Sequence, residues 1–159
     1  MPNTTSAQTT TATRSDHPIK SQAPLSVLVV EDDRALANLL EQVLQSIEPR
    51  IHVDRTASAE GAIALLKRNE GSSRGYPYDL VLADISLEGE RSGIDLWKLC
   101  QEKFSRMPIV VTSAMGTDKF LHAIGPNAIS PAFLPKPFFI GECRQMLEGM
   151  LRYSKSQAS

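Results

Sequence analysis

Residues 25–33 read LSVLVVEDD. An apolar run ends abruptly in Glu31, Asp32 and Asp33. A run this short, bounded by charge, predicts a buried parallel strand. Leu36, Leu39, Leu40, Val43, Leu44 and Ile47 follow at i, i+3, i+4, i+7, i+8 and i+11. That spacing predicts an amphipathic helix, which Pro49 stops.

The same alternation continues outward. Ile51–Arg55 reads as a short strand, and Ser58 as the N-cap of a helix running to Lys67. Residues 69–77 carry three turn formers and little apolar content, which predicts a loop. Tyr78–Ala83 (YDLVLA) is the third strand, and it too ends in an acid, Asp84. Helices are expected over Ile94–Phe104, Thr117–Ile124 and Ile140–Tyr153, and strands over Pro108–Val111 and Ala132–Leu134. Five strands alternating with five helices imply parallel βαβ units with right-handed crossovers. The natural arrangement is a doubly wound α/β sheet of order 2-1-3-4-5.

The chain has 159 residues, 42% hydrophobic and 22% charged, which suits one globular domain with tails. The domain is placed at 25–153. Residues 1–24, rich in Thr, Ser, Pro and Gln, read as a disordered tail, and 154–159 as a C-terminal tail. A net charge of −1 argues against global attraction to nucleic acid or an anionic membrane. No apolar run approaches the roughly 18 residues of a membrane span, and no signal-peptide pattern opens the chain. Cys100 and Cys143 show no metal or redox spacing and read as buried thiols in a reducing cytoplasm.

Ligands of an open parallel sheet bind outside the carboxyl ends of its strands. The polar residues there are Glu31 and Asp32 on the first strand, Asp84 on the third, Ser113 on the fourth and Lys136 on the fifth. Two like charges about 4 Å apart repel by roughly 4 kcal/mol at an effective dielectric near 20. A hard cation such as Mg²⁺ relieves that repulsion, and a carboxylate beside it can attack phosphorus to give an acyl phosphate. Taken singly, acids between a strand and a helix are ordinary helix caps, and Lys136 between two prolines means little. Their joint placement at one sheet edge is what points to phosphoryl chemistry.

The stretches VLVVEDD (27–33), YDLVLADISL (78–87), PIVVTSA (108–114) and FLPKPF (133–138) resemble the receiver domain of bacterial response regulators, a flavodoxin-like fold. The resemblance spans nearly all of 25–153. It implies that Glu31 and Asp32 hold Mg²⁺ with Asp84 and the backbone carbonyl of Ser86. It implies that Asp84 is the phosphoacceptor, Lys136 the family lysine, Ser113 the switch hydroxyl and Phe133 the switch aromatic. Thr112 competes with Ser113 for its role. Asp33 reads as a helix N-terminal residue, Ala114 as space for the phosphoryl group, and the Lys136–Pro137 bond as cis. Ser86 and Met115 fall where the family lines the path of attacking water, so an apolar Met115 implies a long-lived phosphoryl group.

Two stretches depart from the family. The loop after Asp84 reads ISLEGERSG, with Glu88 in place of proline and one residue more before Gly93, which predicts a more flexible loop. Gly125, Pro126 and Pro131 interrupt the fourth helical region, so the usual output face is atypical.

The function expected is a single-domain regulator. It takes a phosphoryl group from a phosphohistidine on a sensor kinase or histidine phosphotransfer protein and signals to a protein target or relays the phosphate onward. It is expected to be no turnover enzyme, to bind neither DNA nor membrane directly, to be cytoplasmic, and to act as a monomer or homodimer. The alternative is a pseudo-receiver that binds a partner without phosphorylation, against which the intact acids, Ser113 and Lys136 argue. A phosphatase would want an acid where Ser86 stands. A flavin carrier would want a phosphate loop where the acids stand.

Overall fold

The computed structural model describes residues 23–71 and 75–157. Five strands, β1 (Ser26–Val30), β2 (His52–Thr56), β3 (Leu80–Asp84), β4 (Ile109–Ser113) and β5 (Ala132–Pro135), form one parallel sheet of order β2-β1-β3-β4-β5. Helices α1 (Arg34–Ile47), α2 (Ala59–Arg68), α3 (Gly93–Lys103), α4 (Thr117–Ile124) and α5 (Ile140–Gln157) alternate with them. The doubly wound arrangement is the one the sequence predicts.

Strand periodicity divides the core into two layers. Leu28, Val30, Val81, Ala83 and Val111 face Ala62 and Leu66 of α2, Leu96 and Cys100 of α3, and Phe120 of α4. Val27, Val29, Leu80, Leu82 and Val110 face Leu40 and Leu44 of α1 and Cys143, Leu147 and Leu151 of α5. Full burial of one such side chain is worth about 1.5–3 kcal/mol. That exceeds the few tenths separating most residues in helix propensity, so packing rather than propensity fixes these helices. Cys100 and Cys143 are buried free thiols, one in each layer.

Local signals set most helix starts. Asp33 accepts hydrogen bonds from the N–H groups of Ala35 (2.8 Å) and Leu36 (3.1 Å) and caps α1. Ser58 caps α2 through the Gly61 N–H, and Ser92 with Asp95 forms a reciprocal capping box on α3. The short α4 stops at Gly125, whose φ of +92° ends the helix before Pro126.

The C-terminal boundary differs from expectation. Helix α5 continues past Tyr153 to Gln157, so the stretch expected as a tail from 154 is helical as far as it is described. Ser154 is buried, and its hydroxyl lies 3.4 Å from Asp79 Oδ1, while Lys155 pairs with Glu48 at 3.5 Å. These long-range partners carry the helix through a polar stretch that has no apolar periodicity to announce it. Strand β3 also starts later than expected, at Leu80, and reaches Asp84 itself. The expected disordered tail lies, but for residues 23 and 24, outside the described residues.

Candidate functional site

Parallel strands β1, β3, β4 and β5 all deliver their last residues to the same edge. Glu31 leaves β1 with its N–H on the Thr56 carbonyl at 3.0 Å, which extends the pairing to β2 by one step. Its carboxylate is buried, and Oε1 accepts the Asp33 N–H at 3.1 Å. Asp84 closes β3, also buried, and its Oδ1 accepts the Ser86 N–H at 3.1 Å. Glu31, Asp32 and Asp84 each bring a carboxylate oxygen within 4.8 Å of the others.

Lys136 crosses to this group from the far side of the sheet. Its N–H donates to the Ser113 carbonyl at 2.7 Å, which fixes its backbone to the end of β4. The following bond to Pro137 is cis, as the resemblance implies. Its Nζ then donates to Glu31 Oε2 at 2.9 Å and to Asp84 Oδ2 at 3.0 Å. Burial opposes the ammonium charge, but the two carboxylate hydrogen bonds outweigh it and raise the Lys136 pKa. Burial raises the Glu31 pKa above its usual value, against the pull of Lys136.

The donor set fits a hard divalent cation. Three clustered carboxylates and one ammonium leave a formal charge of −2 at the strand ends. Oxygen-only donors with one exposed side are what Mg²⁺ or Mn²⁺ favours. Asp33, by contrast, is committed to capping α1. Ser86 is tied to Asp84 through its N–H.

Ser113 and Thr112 are both buried. The Ser113 hydroxyl accepts the Met115 N–H at 2.9 Å, while Thr112 stands opposite Asp84 in the register and its carbonyl takes the Ile85 N–H at 2.9 Å. Phe133, on β5, is half-buried and stacks on Phe120 of α4. Sequence reasoning did not single out Phe120; its helical spacing from Ile124 was the available signal. It also missed the hydroxyl of Tyr78, which donates to Asp54 Oδ2 at 2.6 Å and accepts from Asn69 at 2.8 Å, far from the acidic edge.

An acidic, lysine-bridged edge on a 2-1-3-4-5 parallel sheet defines a CheY-like receiver fold. Among solved structures, a CheY-like receiver domain protein from Methanospirillum hungatei superposes with a TM-score of 0.64 at 19% identity, covering 84% of this chain and 98% of that one. The Mn²⁺-bound form of response regulator Rcp1 superposes at 0.60 and 20% identity, covering 80% and 91%. The cell cycle response regulator CtrA of Brucella ovis is 29% identical over 135 residues, 84% of this chain and 53% of its own length. The chain thus spans about half the length of the curated relatives it matches. The family model of the response regulator receiver domain matches residues 27–148, and the chain belongs to that family, the receivers of two-component systems.

Proposed function

We propose that Asp84 accepts a phosphoryl group from a phosphohistidine, on a sensor histidine kinase or a histidine phosphotransfer protein, with Mg²⁺ held by Glu31, Asp32, Asp84 and the Ser86 carbonyl. The observation that carries this reading is the single ammonium of Lys136 shared between Glu31 Oε2 and Asp84 Oδ2 at 2.9 and 3.0 Å. An oxygen of Asp84 forms the new O–P bond as the N–P bond of the donor breaks, and the leaving imidazole takes a proton. Lys136 is placed to transfer one of its hydrogen bonds from the carboxylate to a phosphoryl oxygen. The bound divalent ion supplies the rest of the charge neutralisation. Ser113, released from Met115, donates its hydroxyl to the phosphoryl group, and Phe133 moves with it as the switch aromatic.

In this reading the chain is a phosphoacceptor and not a turnover enzyme; it catalyses only its own phosphorylation and dephosphorylation. It works in the cytoplasm, as a monomer or homodimer, contacting neither DNA nor membrane directly. No described helix is long and apolar enough to cross a membrane. Its output is a phosphorylation-dependent surface offered to a protein target, or onward transfer of the phosphate.

Phos-tag electrophoresis after incubation with acetyl phosphate tests the chemistry, with and without Mg²⁺, on wild type and Asp84→Asn. A Mg²⁺-dependent shifted band absent from the variant is expected. A folded wild-type protein that takes phosphate neither from acetyl phosphate nor from a cognate phosphohistidine would make it a phosphorylation-independent binding module.

A further inference from the structure

The loop after Asp84, residues 86–92, is one of the two stretches where this chain departs from its family, and its added residue predicts flexibility. The structure shows contacts to the loop at four places. At the near end the Ser86 N–H donates to Asp84 Oδ1 at 3.1 Å. At the far end Ser92 caps α3, and the Gly93 N–H donates to the Ile85 carbonyl at 3.1 Å. Leu87 packs on the core layer beneath. The middle of the loop is held from another element altogether. Glu60, in the first turn of α2, accepts the Arg91 N–H on Oε1 at 3.0 Å. Its other oxygen lies against Gly89, where a Cβ would stand 2.9 Å from Oε2. Gly89 has a φ of +126°, a conformation that side chains rarely adopt.

We propose that Glu60 is a positioning residue for phosphoryl transfer: its carboxylate clasps residues 89–91 and thereby holds Ser86 against Asp84 in the geometry the metal and phosphoryl group require. The inference rests on the site reading given above. Its physical basis is that a surface loop samples many conformations unless its middle is tied. A hydrogen bond from the loop backbone to a side chain on a packed helix is such a tie. The sequence could not show it, because Glu60 and Arg91 are 31 residues apart. The ordinary alternative is an exposed surface contact with no consequence for the site.

The test measures Mn²⁺ binding by the electron paramagnetic resonance of the free ion. It also measures the rate of phosphorylation by acetyl phosphate with Mg²⁺, and the thermal midpoint. The full chain is compared with Glu60→Ala, Glu60→Gln and Gly89→Ala. Glu60→Ala is expected to weaken Mn²⁺ binding and slow phosphorylation, each by about fivefold, the scale of one lost hydrogen bond, with the thermal midpoint lowered by no more than a few degrees. Glu60→Gln keeps the Oε1 acceptor and is expected to recover most of the loss. Gly89→Ala is expected to be at least as impaired as Glu60→Ala, because a side chain at a φ of +126° strains the loop as well as crowding the carboxylate. The clasp is overturned if Glu60→Ala matches wild type, or if Glu60→Gln is as weak as Glu60→Ala, which would assign the effect to charge alone. A wild-type protein that binds no Mn²⁺ and takes no phosphate overturns the site reading itself, and the clasp with it. Wild-type binding with unaffected variants removes only the clasp.

Discussion

Phe133 lies flat on Phe120, with ring centroids 4.6 Å apart and planes within 9° of parallel. The pair joins β5 to α4, the shortest helix of the fold. Phe120 is almost fully buried, so Phe120→Ala is expected to cost about 3–5 kcal/mol. A double-mutant cycle of Phe120→Leu and Phe133→Leu in urea should show a coupling of about 0.5–1.5 kcal/mol. Simple additivity of the two changes would mean that the stack ties nothing.

Gly93 opens α3 directly beneath Asp84. A Cβ there would overlap the Asp84 carbonyl oxygen and stand 2.8 Å from the Ile85 Cα. Backbone on both sides cannot yield as a flexible side chain can. Gly93→Ala is therefore expected to destabilise the fold by about 1–3 kcal/mol and to weaken Mn²⁺ binding, because the strain is relieved by moving the end of β3. Urea unfolding and a Mn²⁺ titration check this; wild-type values in both would show that α3 shifts without disturbing Asp84.

Tyr78 predicts an alkaline dependence of stability. Burial, reinforced by the hydrogen bond to the Asp54 carboxylate, pushes its hydroxyl well above the ordinary value near 10. The unfolded chain then loses this proton before the folded one does. The stabilisation is fully present below about pH 10 and is lost as the pH rises from there toward the folded pKa. Absorbance at 295 nm should show the Tyr78 phenolate only late in the titration, and Tyr78→Phe should remove that late step. The same variant is expected to cost about 1–3 kcal/mol at neutral pH, since Asp54 and Asn69 lose their shared partner. Loss of an ordinary step near pH 10 on Tyr78→Phe, in place of the late one, would put the hydroxyl in water.

Met115 lies two residues after Ser113, the proposed switch hydroxyl, is partly buried, and packs on the core. An apolar side chain there offers attacking water no base. The phosphoryl group is expected to be long-lived, and Met115→Glu to shorten its lifetime by at least about tenfold. Decay followed on Phos-tag gels after removal of the donor checks this. A wild-type lifetime of seconds, unchanged by the glutamate, would sink it.

The sheet was legible because its signals are local. LSVLVV and YDLVLA are short apolar runs closed by acids, and Leu36 to Ile47 repeats at helical period, so strand, helix and order followed. Asp33 as an N-cap was readable for the same reason. The run of α5 through Ser154 was not, because its partner Asp79 sits 75 residues away. The contact of Glu60 with the loop after Asp84 was hidden on similar grounds: composition shows a loop, but not that Glu60 of α2 reaches it.

The sequence by itself determined the strand-and-helix alternation, the sheet order and the identity of the polar residues at its carboxyl edge, because parallel strands must deliver their last residues to one place. The tertiary structure decided how those residues are used. Only folding brings Lys136 within 3.0 Å of Asp84, 52 residues away, and within 2.9 Å of Glu31, 105 residues away. Only packing stacks Phe120 under Phe133 and sets Glu60 on the loop beyond Asp84. Charge sharing and side-chain contact depend on distances between remote segments, and no local pattern in the chain encodes those distances.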